Sequence, residues 1–156
     1  MKAKLFFYIF ILLTIAFIWG QSCLPAEVSN DESNAFREIV ERILGTDSAF
    51  ANFVSIYIRK IAHFTEFAVL GLEMTLFTYL CTKSRISDLI RCAYFGPVIA
   101  AIDETIQIFS GRGSSIIDVM IDTVGYIFAF LLTSLFYSVI RKVVFIIRER
   151  NRSKNV

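Results

Sequence analysis

The sequence predicts an all-α membrane protein: a four-transmembrane-helix bundle with a short amphipathic helix in the first external loop. Three observations predict it. The 156 residues have a mean hydropathy of +0.63, with 16 phenylalanines against two prolines, a composition too apolar for a soluble domain of this length. Segments at about 5–23, 61–81, 89–109 and 116–140 each approach the ~20 apolar residues that cross a hydrocarbon core of about 30 Å. Basic residues gather at alternate ends of these segments: Lys2 and Lys4, then Lys83, Arg85 and Arg91, then a basic tail at 141–156 that starts with Arg141 and Lys142. Lys and Arg accumulate on the cytoplasmic side of short loops, so both termini are expected in the cytoplasm of a multi-pass plasma-membrane protein. Residues 1–156 read as a single integral membrane domain, and nothing in them points to nucleic acid.

The first segment follows Lys2 and Lys4 and so has the outline of a signal peptide. A lipoprotein cleavage site wants an apolar residue three before its cysteine, and Gly20 stands there before Cys23, so a retained span is expected. The connection at 24–58 carries six acidic and two basic residues, in keeping with an external position. Within it Phe36, Ile39, Val40, Ile43 and Leu44 recur at helical spacing ahead of Gly45, a good helix stop. A second short helix is expected from Asp47 or Ser48, carrying Phe50, Phe53, Val54 and Tyr57 into the next span. Both read as packing segments on the outer surface. Cys23, Cys81 and Cys92 lack metal-ligand spacing and read as small apolar fillers.

The second span contains "IRKIAHFTEFAVLGLEM", where Arg59, His63, Glu66 and Glu73 fall within about 80° of one helix face at 100° per residue. The third contains "AAIDETIQIF", with Asp103 and Gln107 one turn apart and Glu104 beside them, above a kink expected at Pro97. The fourth opens "SSIIDVMIDTVGYIFA", which sets Asp118, Asp122, Gly125 and Ala129 on one face. Small residues at Gly96 and Ala100, and at Gly125 and Ala129, permit close helix approach.

Depth joins the three helices. At 1.5 Å per residue, His63, Gln107 and Asp118 lie roughly 5 Å below the external boundary, and Glu66, Asp103, Glu104 and Asp122 roughly 10 Å below it. Arg59, Lys60 and Arg112 sit above both tiers. A charge at mid-bilayer costs at least ~2.5 to 3.5 kcal/mol, so these groups are expected to face one another inside the bundle. All ten are candidate ligand-binding residues, and Glu66, Asp103 and Glu104 are the candidates for acid-base work.

Each also has a plainer account. Asp118 stands three after Ser115 and can complete a capping box; Gln107 can satisfy backbone near the kink. His63 can be a neutral buried histidine, and the basic trio can be interfacial anchors. Glu73, roughly 20 Å inside, reads as a protonated packing residue or the first step of a proton path. His63, Glu66, Asp103 and Asp118 can supply metal ligands in principle, but two-ligand pairs arise by chance and no second histidine exists, so neither metal nor other cofactor is expected.

The residues just described resemble the VanZ-like family of small bacterial membrane proteins. The matching stretches are "RKIAHFTEF" at 59–67 and "DETIQIFSGRGSSIIDVMIDTVG" at 103–125. The family pattern pairs Arg-Lys-x-x-His-Phe-x-Glu with Asp-Glu-x-x-Gln, a Gly-Arg turn, and Asp-x-x-x-Asn/Asp-x-x-Gly. Phe67 replaces a frequent tyrosine and Ser110 a common proline, neither of which removes a charged member. The founding member is associated with resistance to the glycopeptide teicoplanin. The resemblance therefore implies a cell-envelope protein whose partners are membrane lipids and a lipid-linked envelope precursor or a lipoglycopeptide. Beside it stand an enzyme acting on a lipid-linked phosphate or glycosyl substrate, a proton-coupled carrier that uses Glu73, and a polar network that only fixes helix register.

Overall fold

A computed structural model describes residues 2–45, 49–111, 113 and 115–154. Its elements are five helices: α1 (Lys2–Ser22), α2 (Ala26–Leu44), α3 (Ala49–Cys81), α4 (Ile86–Phe109) and α5 (Ile116–Lys154). No strand occurs among the described residues. Three stretches are long and apolar enough to cross a membrane: Lys2–Ser22, Tyr57–Cys81 and Ile116–Ser153. α4 falls outside that set, since Asp103, Glu104 and Gln107 interrupt its apolar run.

Two helices outrun their sequence-based bounds. Helical order is continuous from Ala49 to Cys81, so the short helix expected ahead of the second span is part of α3. The expected start at Asp47 or Ser48 lies outside the described residues, as do the side chains of Phe36, Leu44, Phe50 and Val54. α5 runs 39 residues, about 58 Å, well beyond a bilayer core, and absorbs the basic tail because Val143–Ile147 and the following Arg and Glu residues offer no Gly or Pro to stop it. Gly45, at φ 82°, follows α2 and donates its N–H to the Glu41 carbonyl. Between α3 and α4, Ser84 takes a positive φ of 49°, held where its N–H donates to the Thr82 hydroxyl and its own hydroxyl donates to the Thr78 carbonyl.

Helix directions follow from paired residues. His63 meets Asp122 and Tyr79 stacks on Tyr137, both ascending, so α3 and α5 run parallel. Thr14 meets Glu73 while Phe7 meets Phe77, so α1 runs against α3; Thr75 meets Cys92 near the start of α4, which also runs against α3. The most extensive packing is between α3 and α5.

Glycine makes that seam possible. A Cβ on Gly125 would strike the Phe64 carbonyl, and one on Gly71 would strike the Tyr126 carbonyl, so backbone touches backbone at two levels. A Cβ on Gly96 would enter the Tyr126 ring, which α4 accommodates only because that position has no side chain. Tyr126 is fully buried there, and its hydroxyl donates to the Cys92 carbonyl at 2.6 Å. Around it Ile11, Ile15 and Ile18 of α1, Phe67 and Leu70 of α3, and Ile99 and Ala100 of α4 form the apolar core. Outward-facing apolar side chains remain bare, among them Leu12 and Leu135, as expected where lipid is the solvent.

Candidate functional site

Helix direction brings four ends together. The C-terminal ends of α1 and α4, the start of α5 and the His63 level of α3 meet at the end of the bundle opposite Lys4, Lys83, Arg85 and Arg91. Asp103, Asp122, Gln107 and Glu104 collect there, all buried.

Asp103 and Gln107 sit one turn apart on α4, so both project into the same cleft. The Gln107 amide nitrogen donates to Asp103 Oδ2 at 3.0 Å and to Glu104 Oε1 at 2.9 Å, using both its hydrogens to hold two carboxylates. The Ser22 hydroxyl donates to Asp103 Oδ1 at 2.7 Å, and the Ser110 hydroxyl donates to the Ser22 carbonyl at 2.8 Å. Those two bonds pin the end of α1 to the end of α4. Glu104 Oε2 accepts the Ser115 backbone N–H at 2.9 Å, so α4 ties down the N-terminus of α5.

The capping box read at Ser115 and Asp118 is thereby replaced. The Ser115 N–H goes to Glu104 on the neighbouring helix, and the Ser115 hydroxyl accepts the Ile117 N–H at 3.1 Å. Asp118, half-buried, is left to act through its field on Glu104 and Asp122.

Deeper in the cleft His63 Nδ1 stands 3.3 Å from Asp122 Oδ1, with side-chain exposures of 13% and 0%. At that distance the two form an ion pair whenever the imidazole carries its second proton. Donor atoms of His63, Asp103 and Asp122 lie within 4.8 Å of one another. This trio differs from the set weighed on spacing alone, with Asp122 present and Glu66 and Asp118 outside it. Glu66 is one turn from His63 and near enough to act on it electrostatically.

The remaining candidates spread outward. Arg59 is half-buried a turn above His63, Lys60 is exposed, and Arg112 lies outside the described residues. Glu66 also borders a groove of about 360 Å³ between α1 and α3, formed by Phe10, Leu13, Thr14, Phe17, Thr65 and Val69. Glu73 is away from the cluster: Thr14 donates its hydroxyl to Glu73 Oε1 at 3.0 Å, while Oε2 is buried without a hydrogen-bond partner among the described residues.

Sequence reasoning confined the cluster to three helices and missed α1. Ser22 and Thr14 carry that helix into the polar network, and the Ser115 N–H completes it. The one available signal was depth, since Ser22 ends an apolar run at the level where Gln107 and Ser115 occur.

No curated protein and no solved structure matches the chain. The profile of the VanZ/LLP1 family matches residues 5–137, which include every element of the cluster just described. With the profile covering most of its length, the chain belongs to the VanZ/LLP1 family.

Proposed function

We propose that this VanZ/LLP1 protein crosses a bacterial plasma membrane four times, with both termini cytoplasmic, and binds an amphiphilic envelope ligand at the polar cluster in the outer leaflet. The fourth crossing is α4, whose Asp103, Glu104 and Gln107 are buried in the bundle rather than exposed to lipid. α2 then lies on the outer surface.

One observation carries the reading. Glu66 belongs both to the surroundings of His63 and to the rim of the apolar α1–α3 groove, so polar chemistry and an apolar trough are contiguous. A ligand with a charged head and an acyl tail matches both halves. Arg59 and Lys60 supply cations for an anionic head group a turn above His63. The acid-base reading is less favoured, because Asp103 and Glu104 each already accept hydrogen bonds at both carboxylate oxygens.

The test is lipid-extract mass spectrometry of gently solubilised protein against a Leu13→Trp variant that fills the groove. Wild type is expected to retain an amphiphile class that the variant loses, and identical profiles overturn the reading. The glycopeptide role is tested by expression in a susceptible host. Teicoplanin sensitivity is expected to shift more than sensitivity to vancomycin, which has no acyl chain; equal shifts overturn that role.

A further inference from the structure

We infer that a basic cavity at the other end of the bundle binds the phosphate headgroup of an anionic phospholipid in the leaflet around it. The inference does not rest on the amphiphile reading, since this cavity shares no residue with the groove or with the polar cluster.

Four cations are scattered in the sequence: Lys4 in the first turn of α1, Lys83 in the turn after α3, Arg85 just before α4, and Arg91 in the second turn of α4. The fold brings all four to the wall of one cavity of about 480 Å³, within the size range of small-molecule sites. Helix direction causes the convergence. α1 and α4 both run against α3, so their N-terminal ends meet its C-terminal end. Four cations against one carboxylate, Asp88, leave the wall strongly positive. Asp88 is moreover engaged as a cap, its Oδ2 accepting the Arg85 backbone N–H at 3.1 Å. Among the described residues, no carboxylate stands within ion-pair distance of any of the four cations.

A bias of Lys and Arg toward one membrane face requires the right side, not a shared cavity. Arg141 and Lys142 show the difference. Tyr79 stacks on Tyr137 at 4.2 Å, and Lys83 and Arg141 each stand four residues beyond, so both basic sets occupy one level. Neither Arg141 nor Lys142 lines the cavity.

Position and lining select a lipid. The cavity lies at the ends of two spanning stretches, Lys2–Ser22 and Tyr57–Cys81, where headgroup phosphates are found. Arg85 and Arg91 present planar guanidinium forks that match two phosphate oxygens, and Lys4 and Lys83 add point charges. Tyr8 and Phe77, with ring centroids 5.0 Å apart, supply an apolar wall below the cations. One turn deeper on α1, Leu12 is exposed to an acyl chain. A soluble phosphate would use the cations and gain nothing from these apolar groups.

The test is native mass spectrometry of purified full-length protein in detergent, titrated separately with phosphatidylglycerol, phosphatidylcholine and glycerol 3-phosphate. Phosphatidylglycerol is expected to bind about tenfold more tightly than phosphatidylcholine, whose quaternary ammonium meets the same cations. Lys83→Gln combined with Arg91→Gln is expected to weaken it about thirtyfold, at roughly fivefold for each interfacial cation. Arg141→Gln combined with Lys142→Gln removes the same charge at the same level and is expected to leave it unchanged. Ser87→Glu, which adds a carboxylate to the cavity wall and removes no cation, is expected to weaken it as well. Equal losses in the two double variants mean surface attraction without a site and overturn the inference. Glycerol 3-phosphate bound as tightly as the lipid assigns the cavity to a soluble anion and overturns it too, as does phosphatidylcholine bound as tightly as phosphatidylglycerol.

Discussion

The Ser22 hydroxyl joins two helices with one hydrogen bond, and its acceptor is a buried carboxylate, so its removal has a readable cost. Interhelical hydrogen bonds in membranes average ~0.6 kcal/mol and reach ~1.7. Ser22→Ala is expected near the upper figure, because the acceptor it abandons is an oxygen of a fully buried carboxylate. Thermal unfolding in detergent measures it; an unchanged midpoint contradicts the tether. Tyr126→Phe isolates a second bond. The ring still fills the space above Gly96, but the Cys92 carbonyl loses a donor 2.6 Å away, for an expected loss of about 1 kcal/mol.

At the scale of the element, the α3–α5 seam depends on two glycines because backbone meets backbone there. Gly125→Leu forces a side chain into the Phe64 carbonyl, and Gly71→Leu does the same at Tyr126, so each is expected to cost at least 1–3 kcal/mol or to prevent folding. Gly20→Leu is the control, since nothing lies within 4 Å of a Cβ at that position. If all three variants unfold at the same temperature, the seam is not closely packed. Gly125 was legible in the sequence through its spacing from Ala129 and its polar neighbours. Gly71 was not, because a lone glycine in an apolar span carries no mark of what opposes it. The polar stripe on α3 was legible for the opposite reason: charge inside an apolar run is costly and so informative. The partners of that stripe were harder to foresee. Helical periodicity gives the face of a residue and its depth, but which helix lies opposite is decided by packing, which is how α1 escaped notice and how Glu104, rather than Asp118, came to accept the Ser115 N–H.

For the whole molecule, the number of crossings turns on α4, whose apolar run is broken by the residues that build the site. If α4 spans the membrane, its two ends face opposite compartments, and the exposed positions Ser87 and Gly113 report them. Cys23 is exposed as well, while Cys81 and Cys92 are buried, so the native cysteines leave a nearly silent background. In intact cells an impermeant maleimide is expected to label Cys23. In a Cys23→Ser background, Gly113→Cys is expected to react without permeabilisation and Ser87→Cys only after it. This pattern follows from the parallel course of α3 and α5 with α1 and α4 opposed, since two parallel spanning helices in sequence need a return crossing between them. Labelling of Ser87→Cys and Gly113→Cys from the same side would contradict a crossing by α4, and with it α3 and α5 as parallel spans. Labelling of Cys23 only after permeabilisation would invert the protein and turn the groove toward cytoplasmic lipid.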